Sequence, residues 1–223
     1  MESPVSVDAV RQALGKLCPN GVSYHAEWAS DAFALNDEEG AHLEAATEHR
    51  RREFATGRHC LRSALEQCGF FNLVISSDSD GVPIIPEGSL ASLSHSRGLC
   101  VAVAASTSSI QILGIDIEKT TRLSPAAMLR VVHSLETDWV GANRIRASLL
   151  FSAKEAFYKA QYVRSRCLGS FHDLALKIDE ERQTAKALYL GEQFPSEMKR
   201  YLDRLHIRYQ YVGEYVMTLC WLS

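Results

Sequence analysis

Apolar and polar residues follow two periods along this chain, and the changes between them outline its elements. Val7, Val10, Leu14 and Leu17 recur at helical spacing and predict a short helix over 5–18, closed by Pro19-Asn20-Gly21. Residues 22–28 read as a strand. Asn36-Asp37-Glu38-Glu39 reads as a helix start, with carboxylates suited to the first turn. The helical pattern then runs to about Cys68 and stops at Gly69, with a break expected near Thr56-Gly57. Residues 76–89, rich in Ser, Asp, Gly and Pro, form a loop with short extended pieces. Residues 90–95 and 99–105 read as strands, the second expected to pair through 106–109 with a strand over 110–118. In that last strand Leu113, Ile115 and Ile117 fall on one side, and Asp116 and Glu118 on the other. Ser124 before Pro125 caps a short helix through Val132. Further helices are expected near 136–143 and over about 146–163. Two hairpins follow, 174–178 with 185–190 and 205–212 with 215–222.

This order, with a change-over near 106–112, predicts an α/β (α+β) fold. Two similar halves, 1–108 and 109–223, would each pack helices on a small, mainly antiparallel sheet around a shared cleft. No internal sequence repeat marks them. At 223 residues, with 46% hydrophobic and 23% charged content, the chain can bury a full core. A net charge of −3 argues against gripping nucleic acid. Six scattered cysteines without a Cys-x-x-Cys pair suggest reduced, buried thiols. The N-terminal residues lack the basic and apolar regions of a signal peptide, and no stretch has the apolar length of a membrane helix. A cytoplasmic chain is the expectation.

The charged residues narrow the chemistry. Two carboxylates at i and i+2 on one strand face repel, by about 4 kcal/mol at 4 Å and an effective dielectric near 20. With Glu155 from the later helix beside them, they would call for a cation, and three oxygen ligands with open positions suit Mg²⁺. Glu155 and Lys159 lie four apart and share one helix face. Arg50 and Arg58 lie about two turns apart, and guanidinium forks suit phosphate oxygens. Ser94 and His95 are neighbours on a strand, so they point to opposite faces. They are therefore read as hydrogen-bond donors rather than a catalytic dyad. The remaining histidines (25, 42, 49, 59, 133, 172 and 206) show no metal-ligand spacing. Neither Gly-x-Gly-x-x-Gly nor Gly-x-x-x-x-Gly-Lys-[Ser/Thr] occurs, so any phosphate would rest largely on side chains.

Taken together, Gly114-Ile115-Asp116-Ile117-Glu118 and Phe151-Ser152-Ala153-Lys154-Glu155-Ala156-Phe157-Tyr158-Lys159-Ala160 resemble the paired signature of the 4′-phosphopantetheinyl transferase superfamily. Arg51 through Arg58, the Gly81-Val82-Pro83 turn and Ser92-Leu93-Ser94-His95 are similar to its surfactin-synthetase-activating class, in the branch that serves enterobactin synthetase. The resemblance covers about residues 48–170.

The resemblance implies two pseudo-symmetric halves, a monomer, and coenzyme A as substrate in the cleft. The N-terminal half would contribute the nucleotide contacts and the C-terminal half the metal and catalytic residues. A serine of an apo acyl or peptidyl carrier protein would attack the β-phosphate, releasing adenosine 3′,5′-bisphosphate. Asp116, Glu118 and Glu155 would hold Mg²⁺, with Mn²⁺ as the alternative. Glu155 would take the serine proton directly or through water, and Lys159 would steady the pyrophosphate. Arg50 and Arg58 would hold the 3′-phosphoadenosine, with Ser94 and His95 beside it; register favours Arg50 over Arg51. The carriers served by such enzymes belong to fatty-acid, polyketide and nonribosomal peptide synthases, siderophore assembly included.

Three positions depart from the family pattern: the acidic Ser77-Asp78-Ser79-Asp80 loop where relatives often carry a basic residue, Ala91 for Gly, and Phe151 for Trp. Leu123, Met128, Leu129 and Val132 read either as a carrier-docking surface or as core. The competing functional readings are a metal-dependent nuclease and a non-catalytic carrier-protein or nucleotide-binding module.

Overall fold

The computed structural model describes residues 5–40, 43 and 45–223. Helix α1 (Val7–Leu17) starts at Ser6, whose side chain accepts from the Ala9 amide, and strand β1 (Val22–Trp28) follows. The helix expected from 36 to 68 is two helices. In the short α2 (Asp37–Gly40), Asn36 accepts from the Glu39 amide while Glu39 accepts from that of Asn36. Thr47 then caps α3 (Glu48–Gln67), which runs unbroken through Thr56 and Gly57. Positions 41, 42 and 44 of the expected helix, His42 among them, lie outside the described residues. A β-carbon at Gly57 would lie 3.5 Å from Leu93 Cδ1, an ordinary contact distance.

Strands β2 (Ser89–Ser96) and β3 (Leu99–Ser106) form a hairpin, and β1 pairs along the other side of β3 to give the order β1-β3-β2. The expected pairing of β3 with β4 (Ile112–Lys119) is therefore not made, since β1 and β2 already occupy both edges of β3. After β4 come α4 (Pro125–Val131), α5 (Thr137–Val140), α6 (Arg144–Ser165), β5 (Leu174–Asp179), β6 (Thr184–Leu190), α7 (Ser196–Tyr201), β7 (His206–Val212) and β8 (Tyr215–Leu222). The second sheet, β4-β8-β7-β6-β5, is antiparallel throughout. Both expected C-terminal hairpins form. Among the described residues no helix is long and apolar enough to cross a membrane.

Alternation along β3 shows how the halves join. Cys100, Ala102 and Ala104 pack under α3 against Cys60, Leu61, Ala64 and Leu65. Leu99, Val101, Val103 and Ala105 face the other way, onto Leu113, Ile115 and Ile117 of β4 and onto Met217, Leu219 and Trp221 of β8. The run from Leu99 to Ala105 is apolar throughout because both its faces are buried. On the far side of β4, α6 lays Ala153, Ala156, Phe157 and Ala160 over Ile112, Cys220 and Leu222. The two halves thus share one core, with α3 and α6 on the outside.

Gly114 sets the closest approach in this stack. A β-carbon there would lie 2.6 Å from the Ala160 nitrogen and nearer still to the Ala156 carbonyl oxygen, both backbone atoms of α6. The segment read as either carrier surface or core divides: Leu123 and Met128 are buried, Val132 packs against the same cluster, and Leu129 alone is 78% exposed. Helical periodicity assigns the inward positions to the core.

Candidate active site

The edge strands of the two sheets, β2 and β4, are held together by side chains. Ser92, Ser94 and Ser96 stand at every second position of β2 and turn toward β4. Ser92 Oγ accepts from the Ile115 amide (3.1 Å), Ser94 Oγ donates to Asp116 Oδ1 (2.8 Å), and Ser96 Oγ donates to Glu118 Oε2 (3.2 Å). Three hydroxyls at period two thus fix the acidic face of β4 against the N-terminal half. Ser92 and Ser96 were not singled out from sequence, although the Ser-x-Ser-x-Ser spacing carries that signal.

Asp116, Glu118, Glu155 and Lys159 line one cleft of about 330 Å³ with Ser94, His95, Leu93 and Phe151. Lys159 reaches across it, its Nζ 2.6 Å from Asp116 Oδ1 and 2.9 Å from Ser94 Oγ. Ser94, expected beside the nucleotide, therefore sits between the acidic strand and Lys159. Arg122 approaches Glu118 at 3.5 Å. Burial, and then the neighbouring Asp116, push the Glu118 carboxyl up to about 6 and raise that of Glu155 as well. Asp116 Oδ2 is buried without a hydrogen-bond partner. Among the described residues no three His, Cys, Asp or Glu side chains are grouped tightly enough to enclose a metal ion. The donor set nevertheless fits a hard divalent cation: oxygen ligands only, mutually repelling, one oxygen unused, and all on one cleft.

A larger cavity of about 740 Å³ adjoins this cleft through the shared residues Leu93, His95, Glu155 and Lys159. Arg50 and Arg58 stand in its wall from α3. Arg58 is buried to 3% exposure, lies 4.3 Å over the Phe54 ring, and donates to Ser77 Oγ at 2.6 Å, while its Nε has no partner. Burial lowers its pKa to about 10, still far above neutrality. A cation held in this way is short of an anion.

Arg50 Nη1 lies 2.9 Å from His95 Nε2, and His95 Nδ1 lies 3.5 Å from Glu53 Oε1. Because Arg50 can only donate, His95 accepts at Nε2 and turns its Nδ1 proton toward Glu53. Burial holds the His95 pKa below its ordinary value, consistent with that neutral form. Ser94 and His95 do face opposite ways, as their strand positions require. Glu53, which also accepts from the Gly98 amide at 3.1 Å, is a site-building residue that the sequence pattern does not mark. Arg51 instead directs its Nε to the Ala46 carbonyl, at 3.2 Å.

Lys154 was likewise passed over. Its ammonium, fully buried, donates to Glu136 Oε2 (2.7 Å) and to the carbonyls of Val131 (2.8 Å) and Phe171 (2.9 Å). Glu136 in turn accepts from the His133 and Leu176 amides, at 2.8 and 2.7 Å. This pair anchors the inner face of α6, leaving Glu155 and Lys159 to face the cleft.

Two family models match successive parts of the chain: a 4′-phosphopantetheinyl transferase N-terminal domain over residues 38–105, and the 4′-phosphopantetheinyl transferase superfamily over 112–220. The transferase PptT of Mycobacterium tuberculosis is 32% identical over 165 residues, which cover 70% of this chain and 72% of that protein. The chain belongs to the 4′-phosphopantetheinyl transferase superfamily. Two other phosphopantetheinyl transferases are similar to it: Svp of Streptomyces mobaraensis, 32% identical over 70% of this chain, and Npt of Nocardia iowensis, 36% identical over 64%. In each case the match spans 66% of the relative's length. Among solved structures, a holo-[acyl-carrier-protein] synthase of Neisseria meningitidis aligns with 51% of this superfamily member and 98% of its own chain, at 22% identity and a TM-score of 0.39.

Proposed function

We propose that this chain transfers the 4′-phosphopantetheine group of coenzyme A to a serine of an apo acyl or peptidyl carrier protein. The serine oxygen bonds to the β-phosphorus, the bond from that phosphorus to the bridging oxygen breaks, and adenosine 3′,5′-bisphosphate leaves. Membership of the superfamily supports the reaction class. The observation that carries the reading is the continuity of the two hollows, from Arg50 and Arg58 at one end to Asp116, Glu118, Glu155 and Lys159 at the other.

In this reading residues 1–108 supply the nucleotide contacts and 109–223 the metal and catalytic groups. Arg58, with its unpartnered Nε, and Arg50, braced by His95 and Glu53, hold the phosphates of the 3′-phosphoadenosine end. Lys159 holds the pyrophosphate oxygens and neutralises charge on the departing 5′-phosphate of adenosine 3′,5′-bisphosphate. Glu155, whose carboxyl burial and Asp116 raise toward neutrality, takes the serine proton directly or through water. Asp116, Glu118 and Glu155 hold Mg²⁺, or Mn²⁺ in its place, which when bound neutralises diphosphate charge. The surfactin-synthetase-activating class and its enterobactin-synthetase branch are the subgroup proposed. The motif segments of residues 51–58, 81–83 and 92–95 support that placement, as does the presence of both halves in one chain. A cytoplasmic monomer serving carriers of fatty-acid, polyketide or peptide-siderophore synthases completes the proposal.

The test is incubation with coenzyme A, Mg²⁺ and a panel of apo carrier domains, followed by mass spectrometry of the carriers. A phosphopantetheine adduct on one of them is expected. No adduct on any carrier defeats the reading, and cleavage of DNA in a parallel reaction would replace it with the nuclease.

A further inference from the structure

The loop that departs from the family pattern by being acidic is held by the opposite half of the chain. Arg166 Nη1 lies 2.8 Å from Asp78 Oδ2 and 3.1 Å from Asp80 Oδ2. The Tyr162 hydroxyl donates to Asp80 Oδ2 at 3.1 Å, and the Arg166 guanidinium lies 5.4 Å from the centre of the Tyr162 ring. Asp78 does double duty. Its Oδ1 accepts from the amides of Asp80 (3.0 Å) and Val82 (2.9 Å), which shapes the turn at Gly81, where φ is +79°. That turn is cavity wall: Asp80, Gly81, Val82 and Pro83 line one side, and Tyr162 and Val163 of α6 line another. Arg166 lies outside the lining and meets it through Asp80 and Tyr162.

The backbone at Arg166 adds an independent sign. It caps α6 at φ 51° and ψ 20°, a left-handed conformation in which glycine or asparagine is the ordinary choice. An arginine there strains the backbone and aims its side chain at the acidic loop; strain of this kind gathers at functional positions. Two carboxylates beside a polyanionic ligand would repel it, and Arg166 offsets one of the two charges.

We propose that Arg166 is a positioning residue for coenzyme A: through Asp78, Asp80 and Tyr162 it clasps the two halves over the cavity and fixes the Gly81 turn against the ligand. The inference rests on the transferase reading above. Exposed ion pairs of this kind contribute little to folding, so losing the clasp is expected to leave stability nearly unchanged. Asp78, whose carboxyl the Arg166 hydrogen bond holds below its usual range, stays charged at neutral pH.

Arg166→Gly separates the two roles, because glycine suits the left-handed cap while losing both ion pairs to the loop and leaving only the Tyr162–Asp80 hydrogen bond across it. Its thermal midpoint is expected to equal or exceed the parent's. KM and Kd for coenzyme A should rise about five- to tenfold with kcat within about twofold, the signature of lost ligand binding rather than lost chemistry. Arg166→Lys should restore most of the affinity, and hydrogen exchange at residues 78–82 should quicken in the ligand-free glycine variant. An active parent whose glycine variant keeps KM, Kd and exchange unchanged overturns the clasp alone. A fall in kcat at unchanged KM overturns it as well. A parent that neither binds coenzyme A in calorimetry nor modifies a carrier overturns the transferase reading, and the clasp with it.

Discussion

Lys154 Nζ lies 2.7 Å from Glu136 Oε2 with both side chains closed off from solvent, whereas Glu155, the next residue, opens onto the cleft. Burial lowers the Lys154 pKa and the Glu136 charge opposes that. Removing Lys154 strands the Glu136 charge together with the Val131 and Phe171 carbonyls. Lys154→Ala is expected to cost about 3–5 kcal/mol of folding stability. Urea unfolding followed by circular dichroism checks it, and a loss under about 1 kcal/mol would show the pair to be ornamental.

Arg58 and Glu155 should separate binding from chemistry. Arg58→Ala removes a buried cation with an unpartnered donor, and about a tenfold or greater rise in Kd for coenzyme A is expected in calorimetry, equivalent to about 1.4 kcal/mol or more. Glu155→Gln keeps the shape and loses the proton acceptor. It should bind coenzyme A within about threefold of the parent yet leave carriers unmodified. Full transfer by Glu155→Gln would remove Glu155 from its assigned role.

Gly114→Ala should force β4 off α6. The new methyl group meets backbone atoms of Ala156 and Ala160, which cannot rotate aside as a side chain would. A penalty of about 3 kcal/mol or more is expected, at the upper end for overpacked cores. Transfer activity should fall too, since Asp116 and Glu118 ride on β4 and Glu155 and Lys159 on α6. An alanine variant of parental thermal midpoint would contradict the packing described.

His25 and His59 make the fold acid-sensitive. Burial lowers both pKa values from 6.5, helped by Arg11 at His25 and by Arg62 at His59. A histidine depressed in this way binds fewer protons folded than unfolded, so stability is lost as pH falls from 6.5 toward the folded value. Glu118 and Glu155, being raised, pull the other way, which makes the difference between variants the useful measure. His59→Phe keeps a ring stacked on Phe33, now 4.0 Å from the His59 centroid. The variant's urea midpoint should decline less steeply than the parent's between about pH 7 and pH 5.5. Parallel curves would show that His59 carries none of the slope.

Much of this protein could be read from local pattern alone. The alternation of β4 told which side Asp116 and Glu118 take, and the Ser124-Pro125 cap told where α4 begins, because both follow from backbone geometry over a few residues. The superfamily and the identity of the acidic and basic candidates were equally legible. The 36–68 helix was misjudged because α3 opens afresh at the Thr47 cap, a weak signal inside a polar stretch. The β3–β4 pairing was misjudged because a short connection favours neighbours, while β1 had already claimed the edge of β3 from a distant part of the sequence.

What the chain decides locally is which residues carry charge and which face of their own element they take. Only the packed structure decides their partners: that Lys154 is spent on Glu136 while Lys159 reaches Asp116, that Ser94 joins the acidic strand, and that Arg166 answers the charge of a loop more than eighty positions away. Periodicity spans a turn or two of backbone. These contacts join residues brought close only by burial of a shared core, and burial is a property of the whole chain.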